Sequence, residues 1–416
     1  MHRRLFLAAA AATAAVPGLC QTLDREGPPV AASGDDTFDA WLRDFYDRAL
    51  ATGYPADFLR RELSGLTPDA QAVALDSRQP EIARPTGDYV KKAVSADRIA
   101  MGSRKRVELP WLSSVEQTYG VPAEILIAIW GMESAFGAVQ GDADVIRSVA
   151  TLAAEGRRRE LFEANLFAAL KMISTGEATR AQMKGSWAGA MGQTQFMPED
   201  YLNTAVDGDG DGRRDVWGSA HDALASAANL LSKAGWKPGE SWQREVILPE
   251  GFDYGLTEGP RQSPATWAEI GVKPADGAGW TSADAASVAQ LILPSGAAGP
   301  AFLIFPNHFT IRRYNNSSAY ALGVGLLADR IAGKAELVRA WPLEQGLATA
   351  DRIGAQDALA KLGFDPGAAD GVIGINTRAA LRAWQKARGL TADGYLTVDL
   401  SRQLQNEAAS LSSATL

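Results

Sequence analysis

The stretch Val121–Gly137, VPAEILIAIWGMESAFG, decides the fold, because it has the pattern of a buried helix that ends on a carboxylic acid. Pro122 suits the first turn of a helix, and the run Ile125–Met132 has no polar face. Gly137 predicts where the helix stops. A helix without a polar face is expected to lie inside a mostly helical domain.

Glu133 stands near the C-terminal end of that helix, and its position gives it a distinct chemistry. Burial disfavours the charged form of a carboxyl group, and the negative end of the helix dipole repels it. Both effects predict a raised pKa, which suits a general acid near neutral pH. The alternative is a glutamate that bends out to solvent at a frayed helix end, and this segment alone leaves both interpretations open.

A second segment, Lys184–Leu202, combines small residues with amides and hydroxyls: KGSWAGAMGQTQFMPEDYL. Glycines let a backbone approach a ligand closely, while Ser186 and Gln195 offer the donors and acceptors that sugars require. Phe196 and Trp187 could supply flat apolar surfaces for a pyranose ring. The alternative is a tight helix–loop packing motif without a ligand.

Four motifs in this order resemble the membrane-bound lytic murein transglycosylase B family, glycoside hydrolase family 103. They are GVPAEILIAIWGMESAFG at 120–137, GSWAGAMGQTQFMP at 185–198, AVDGDGDGRRDVWG at 205–218 and RRYNNSSAY at 312–320. The resemblance runs from about residue 38 to 340. It implies a mainly α (α+β) protein, with a lysozyme-like helical catalytic core and a small inserted β region. Residues 35–341 are the expected catalytic domain.

The family cleaves the β-1,4 bond between N-acetylmuramic acid and N-acetylglucosamine without adding water, and leaves a 1,6-anhydromuramic end. The resemblance thus implies a peptidoglycan lytic exotransglycosylase, a murein lyase that needs no cofactor, although the sequence leaves endo or exo action open. It makes Glu133 the acid and then the base. Most glycosidases need a second carboxylate, and none stands in a matching sugar-binding motif. The alternatives are a hydrolytic muramidase acting on the same bond and an inactive wall-binding scaffold protein.

The resemblance also carries over substrate-binding positions. These are Ser186, Gln195, Phe196, Tyr314, Asn315, Arg158 and Tyr89. Arg158 lies in the run Arg157–Arg159, where the family has paired arginines that meet stem-peptide carboxylates; a solvated helix start explains that run as well. One departure is Leu230, which stands where an aromatic residue is expected, so one sugar contact is missing.

The segment Asp207–Asp215, DGDGDGRRD, has the pattern of a calcium loop, with alternating acids and a glycine at the sharp turn. The usual closing glutamate is absent, because Gly218 occupies its position. The family's longer loop implies the following ligands for a structural Ca²⁺ ion: Asp207, Asp209, Asp211, Arg213 through its carbonyl, and Asp222. The alternative is an acidic surface turn without a metal.

The C-terminal segment Arg352–Leu404 resembles the small three-helix peptidoglycan-binding domain of cell-wall enzymes. Its marks are LGF before Asp365 and DGVIG at 370–374. Thr377 is expected to cap the next helix, and Trp384 to lie in the core. The domain is assigned to 351–408, after a linker at 342–350. A helical dimerisation or docking module is the alternative.

Residues 236–307 are rich in Gly and Pro, and three aliphatic runs there predict strands of an inserted sheet. These runs are Arg244–Leu248, Val288–Leu293 and Ala301–Phe305.

The first 20 residues carry basic residues and then an apolar run, which predicts an export signal of the twin-arginine or general secretory type. The expected location is the periplasm; lipid anchoring through Cys20 is the lesser alternative, because Leu19 precedes it. The net charge of −8 argues against nucleic acid as a partner. The expected partners are peptidoglycan glycan strands and cell-wall synthesis proteins, and the expected state is a monomer.

Overall fold

The computed structural model describes residues 33–78 and 84–414. The helices of these residues are α1 Asp36–Ala51, α2 Ala56–Leu63, α3 Ala70–Arg78, α4 Thr86–Ala93, α5 Ala96–Glu108, α6 Leu112–Tyr119, α7 Ala123–Ser134, α8 Val145–Glu155, α9 Arg159–Ser174, α10 Pro198–Thr204, α11 Ala220–Lys233, α12 Pro264–Glu269, α13 Ser282–Ala285, α14 Pro306–Ile311, α15 Ser318–Ile331, α16 Thr349–Lys361, α17 Ile375–Ala387 and α18 Val398–Ala414. The strands are β1 Ala143–Asp144, β2 Lys184–Gly185, β3 Gln243–Ile247, β4 Lys273–Pro274, β5 Gln290–Ile292 and β6 Ala301–Ile304.

Helix α7 is the centre of the helical domain, as its sequence predicts. It packs against α5, α6, α11 and α15. Leu126, Ile127 and Ile129 are all fully buried. Because every face of the helix is apolar, neighbours on all sides are needed to remove it from water, and the surrounding helices provide them.

The ends of α7 differ slightly from the sequence prediction. Pro122 caps the helix, which begins at Ala123, and the last helical residue is Ser134. The stop comes at Ala135, with a left-handed φ of 51°, before the expected Gly137. Hydrogen bonds between Ser134 and residues distant in sequence, described below, stabilise this early end of the helix.

The inserted sheet contains the three predicted strands and one more. Its order is β4-β3-β6-β5, with all neighbours antiparallel. The two-residue strand β4 was too short to predict from its sequence. The sheet and α12 enclose a separate small core around Trp267, whose indole is fully buried.

Helices α16, α17 and α18 form the predicted C-terminal three-helix unit. Trp384 lies in its core, fully buried, as expected. The predicted helix cap at Thr377 is wrong, because α17 begins at Ile375 after Gly374. The Thr377 hydroxyl instead donates to the carbonyl of Pro366 at 3.0 Å, which ties the helix to the preceding loop.

The connection between α15 and α16, residues 332–348, is called here the strap. The Glu245 carboxylate of β3 accepts from the backbone N–H groups of Val338 and Arg339, at 2.7 and 2.8 Å. The Trp341 ring lies 6.0 Å from that of Phe302 in β6. The predicted linker, 342–350, falls on the second half of this strap and the start of α16, and these contacts with the sheet lie just before it, at 338–341.

None of the helices within 33–78 and 84–414 combines the length and apolar character needed to cross a membrane. The predicted export signal, residues 1–20 with Cys20, lies outside the described residues.

Candidate active site

Glu133 projects from the last turn of α7, and the chain turns sharply just after it. Glu133 is half-buried. Ala135 and Phe136 are both left-handed, with φ of 51° and 61°, a conformation that costs energy for residues with a Cβ. The turn folds the Phe136 ring back onto Gly131, where an added Cβ would lie 2.7 Å from the ring. The absence of a side chain at Gly131 is therefore required for this turn.

Hydrogen bonds join the end of α7 to the second motif. The Ser134 hydroxyl donates to the carbonyl of Gln193 at 2.5 Å and accepts from the backbone N–H of Gly137 at 2.9 Å. The Trp130 indole donates to the Gln193 side-chain oxygen at 3.0 Å. These bonds hold the carboxyl-bearing turn against the loop that carries Gln195.

Gln195 has a constrained side-chain amide. Its φ of 52° is left-handed, and its nitrogen donates to the carbonyls of Gln140 and Gly192, at 3.0 and 2.9 Å. Because both amide hydrogens are used, the side-chain oxygen is left as an acceptor for a ligand donor.

Ser186 lies at the other end of this loop, directly after β2. Its hydroxyl oxygen accepts from the backbone N–H of Ala190 at 3.1 Å. The hydroxyl hydrogen can therefore be donated to a ligand.

Tyr320 at the start of α15 contacts Glu133 directly. Its hydroxyl donates to the Glu133 Oε1 atom at 2.5 Å. Burial, with the nearby Glu133 charge, raises the pKa of Tyr320 well above its usual value. The phenol therefore remains a donor at physiological pH. Tyr320 is the last residue of the fourth motif, but no local sequence pattern marks it as a partner of Glu133.

Tyr314 carries a buried hydroxyl that has no hydrogen-bond partner among the described residues. Burial raises its pKa well above the usual value, and the charges of Glu133 and Asp200 act in the same direction. Phe196 packs against Tyr314, with ring centres 6.1 Å apart, and is only 1% exposed. Phe196 therefore supports the tyrosine ring and presents no open face to a sugar.

Asn315 and Tyr89 are both half-buried, as residues lining a cleft would be. Tyr89 on α4 lies close enough to Tyr320 to contribute to the raised pKa of that phenol. Gly323 on α15 allows Tyr89 and Met132 to approach, since a Cβ there would lie 3.2 and 3.3 Å from them. The structure thus brings Tyr89 beside the residue that precedes Glu133.

Arg158 is engaged elsewhere in the protein. Its guanidinium and that of Arg157 both donate to the carboxylate of Asp76 on α3, which is buried. The stem-peptide contact expected of Arg158 would have to compete with this ion pair.

Leu230 on α11 is buried in the main core. The aromatic sugar contact expected at this position is therefore replaced by core packing.

The acidic loop brings four carboxylates together, with oxygens within 4.8 Å of one another. They belong to Asp207, Asp209, Asp211 and Asp222. Oxygen ligands at this density suit Ca²⁺. Asp222 is buried on α11 and accepts from the backbone N–H groups of Gly208 and Asp215, at 2.8 and 2.7 Å. Arg213 donates its backbone N–H to Asp211 at 2.8 Å, which holds its backbone in the loop.

The match to known families covers most of the chain. Residues 37–329 match the family described as transglycosylase SLT domain, and residues 349–404 match a peptidoglycan binding domain family. The chain belongs to the transglycosylase SLT family. A crystal structure of SltB3 from Pseudomonas aeruginosa in complex with NAG-NAM-pentapeptide is 47% identical, with a TM-score of 0.83. It covers 89% of this chain and 100% of that one.

Two further relatives come from Escherichia coli. The membrane-bound lytic murein transglycosylase B of strain K12 is 34% identical over 253 residues, or 59% of this chain; the chain spans 66% of that relative's length. The lytic transglycosylase Slt35 in complex with calcium is 29% identical, with a TM-score of 0.62, and covers 70% of this chain and 92% of that one. These relatives agree with the resemblance found in the four motifs.

Proposed function

We propose that this protein is a lytic transglycosylase of peptidoglycan, with Glu133 as its acid and base. The observation that carries the proposal is the Glu133 carboxyl at the end of α7, held at Oε1 by Tyr320. The loop that carries Gln195 is hydrogen-bonded to the end of α7 through Ser134 and Gln193. The charge of Glu133 acts on the Tyr314 hydroxyl, which has no hydrogen-bond partner among the described residues. A saccharide offers both donors and acceptors to such groups.

The proposed reaction has two proton transfers and no water. Protonated Glu133 gives its proton to the glycosidic oxygen as the bond to the muramoyl anomeric carbon breaks, and the N-acetylglucosamine side leaves as an alcohol. The Glu133 carboxylate then takes the proton of the muramoyl 6-hydroxyl, whose oxygen bonds to the anomeric carbon. The 1,6-anhydro ring forms and Glu133 is again protonated. The Tyr320 hydrogen bond keeps one carboxyl oxygen fixed through both steps.

A hydrolytic muramidase would need a second group to activate water. Asp200 on α10 is the residue to test, because its charge acts on Tyr314 together with that of Glu133. Burial raises the pKa of Asp200, while Arg313 opposes the shift. The raised pKa keeps Asp200 protonated over a wider pH range, in which it cannot serve as the base that activates water, so we assign it a structural position.

The first test compares digests of purified sacculi by wild type, Glu133→Gln and Asp200→Asn, with products measured by mass spectrometry. We expect anhydromuramoyl products from wild type and from Asp200→Asn. Glu133→Gln should lose roughly 10²–10⁴-fold in rate, the usual contribution of a general acid and base. Muramoyl products with free reducing ends would instead indicate hydrolysis. Unchanged activity in Glu133→Gln would remove Glu133 from the mechanism.

We also propose that the acidic loop holds a structural Ca²⁺ ion. Asp207, Asp209, Asp211 and Asp222 would supply carboxylate oxygens, and Arg213 its carbonyl. A bound ion would stabilise the folded state in proportion to the logarithm of its concentration over Kd, about 2.7 kcal/mol at 100 times Kd. Chelation should therefore lower the thermal midpoint by several degrees, and calcium should restore it. Asp209→Asn should weaken the response; an unchanged midpoint in wild type would exclude the ion.

We further propose that the C-terminal domain, assigned to 351–408, contacts peptidoglycan and that the protein acts in the periplasm as a monomer. The support is the match of residues 349–404 to a peptidoglycan binding domain. Catalytic domain and binding domain would then act on one polymer. Contacts with cell-wall synthesis proteins remain a prediction of the family resemblance.

A further inference from the structure

A cavity of about 640 Å³ lies where the C-terminal domain meets the rest of the protein. Its walls come from four parts of the chain: the start of α4, Pro294 after β5, the second half of the strap, and the C-terminal domain. Residues named above for the catalytic cleft do not line it. A volume of this size accommodates a small peptide or a drug-sized molecule.

The charged side chains in the wall carry more positive than negative charge. They are Arg84, Arg352, Arg378 and Arg402, against Glu344 and Asp399. The whole protein has a net charge of −8, so a local excess of cations is notable. It indicates a ligand that carries more carboxylates than amines.

The arginines have different parts in the wall. Arg352 is buried and donates to the carbonyls of Gly371 and Leu347, at 2.7 and 3.0 Å, so it shapes the wall. Arg378 pairs with Glu258 of the β region at 2.7 Å, which joins the two domains. Arg402 has 70% of its side chain exposed and lies 3.5 Å from Asp399. Of these three arginines, Arg402 can therefore reorient toward a ligand with the smallest loss of contacts within the protein.

Two helices direct their N-terminal ends to this cavity. Thr86 begins α4 and Val398 begins α18, and both residues line it. Pro85 caps α4 without a side-chain hydrogen bond from the described residues. The first N–H groups of a helix carry partial positive charge. At α18 the Thr397 hydroxyl already accepts from the N–H of Leu400 at 3.2 Å, so α4 is the helix end that adds most to the attraction of the arginines for an anion.

The floor of the cavity contains an acid that is already engaged. The Tyr395 hydroxyl donates to the Glu344 carboxylate at 2.8 Å, and the Ser295 hydroxyl lies 3.5 Å from the same oxygen. Asp393 accepts from the backbone N–H of Ala297 at 2.8 Å, which fixes the two domains beside this floor. The floor of the cavity is thus preorganised by hydrogen bonds between the two domains.

We propose that this junction cavity binds a peptidoglycan stem peptide through its terminal carboxylate, separately from the catalytic cleft. Such a peptide carries several carboxylates and, where it contains diaminopimelate, an amine. This mixture matches the charges of the wall better than an uncharged glycan does. The inference rests on the proposed function, because the catalytic domain would hold the glycan of the same polymer.

The test titrates the full-length protein with a synthetic L-Ala-γ-D-Glu-meso-diaminopimelyl-D-Ala tetrapeptide, followed by calorimetry. The same peptide with a C-terminal amide is the ligand control. Arg402→Gln is the test variant. Arg60→Gln is the matched control, because Arg60 also forms an exposed pair with an aspartate three residues earlier, at 3.0 Å from Asp57. Arg84→Gln provides a second variant, in the segment before α4.

We expect saturable binding of the free acid, at least fivefold weaker binding of the amide, and a similar loss in Arg402→Gln and Arg84→Gln. Arg60→Gln should bind like wild type. Equal affinity of acid and amide, no binding, or wild-type affinity in both cavity variants would overturn the proposal. Products of sacculus digestion by Arg402→Gln are measured in parallel. Reducing ends there would refute the transglycosylase mechanism, while the titration would still decide the cavity.

Discussion

At the scale of single residues, two tyrosines around Glu133 have opposite hydrogen-bond states. Tyr320 donates to the carboxyl, whereas the Tyr314 hydroxyl is buried without a partner among the described residues. A buried polar group left unsatisfied costs about 1–3 kcal/mol. This cost is removed if a substrate hydroxyl or a water molecule completes the bond. The two residues should therefore respond differently to loss of the hydroxyl.

Tyr320→Phe should lower kcat by about 10- to 100-fold with little change in KM. A hydrogen bond to a charged group contributes about 1.5–3 kcal/mol, and each 1.4 kcal/mol is a factor of ten in rate. The alkaline limb of the activity profile should also move to higher pH, because the lost bond favoured the ionised carboxyl. Steady-state kinetics on a soluble glycan across pH would measure both effects.

Tyr314→Phe is the matched comparison. The folding stability of this variant should be unchanged or slightly higher, because the hydroxyl has no partner to lose within 33–78 and 84–414. We expect KM to rise about fivefold, the worth of one neutral hydrogen bond to substrate. A Tyr314→Phe enzyme with wild-type KM would remove this hydroxyl from the substrate site, and a wild-type kcat in Tyr320→Phe would remove the positioning role of Tyr320.

At the scale of elements, α14 carries a buried histidine that makes stability depend on pH. His308 is fully buried, neither ring nitrogen has a partner among the described residues, and its ring lies 6.1 Å from that of Trp242. Burial, with the charge of Arg312, lowers the pKa of His308 from 6.5 to about 3. The imidazole is therefore neutral in the folded protein, and its neighbours oppose protonation.

The lowered pKa of His308 determines the direction in which folding stability changes with pH. Above pH 6.5 His308 is neutral in both states, and between pH 6.5 and 3 the unfolded chain binds a proton that the folded chain does not. Stability should thus fall with acidification, by about 2 kcal/mol at pH 5. His308→Phe should be neutral or stabilising at pH 7.5 and should flatten this dependence, measured by thermal unfolding at both pH values. An unchanged slope in the variant would assign the acid sensitivity to other groups.

The ends of α7 show how far an element can be predicted. Its existence and burial follow from an apolar run with no polar face. Its exact end does not, because Ala135 adopts a conformation that alanine rarely takes. That conformation is held by the bonds of Ser134 to Gln193, a residue 59 positions away. The prediction of a stop at Gly137 was made from local propensity, and a long-range contact overrode it.

At the scale of the whole molecule, the strap holds the two domains in one arrangement. Glu245 binds two consecutive N–H groups of the strap, and Trp341 packs on Phe302. Gly87 of α4 leaves space for Trp341, since a Cβ there would lie 2.9 Å from its side chain. These contacts fix the first half of the strap on the catalytic domain, and the Arg378–Glu258 ion pair and the Asp393–Ala297 hydrogen bond hold the C-terminal domain beside it.

Trp341→Ala should release the strap without unfolding the helical core. We expect a loss of about 2 kcal/mol in local stability, less than for a fully buried tryptophan, because the ring is only half-buried. Hydrogen exchange of residues 332–348 should accelerate, while that of α7 stays slow. Leu343→Ala in the same strap is the control, since Leu343 is 94% exposed. Equal exchange in both variants would show that Trp341 does not fasten the strap.

The sequence by itself determined the buried helix α7, the acid at its end, the three main strands, the four-carboxylate loop and the C-terminal helical unit. Each of these depends on short-range pattern: apolar periodicity, alternation of acid and glycine, or β-branched runs. The tertiary structure decided which distant side chains meet. It paired Tyr320 with Glu133, engaged Arg158 with Asp76, and buried Phe196 behind Tyr314. These contacts join residues that lie 82 to 187 positions apart in the sequence, and no local pattern encodes contacts over such separations.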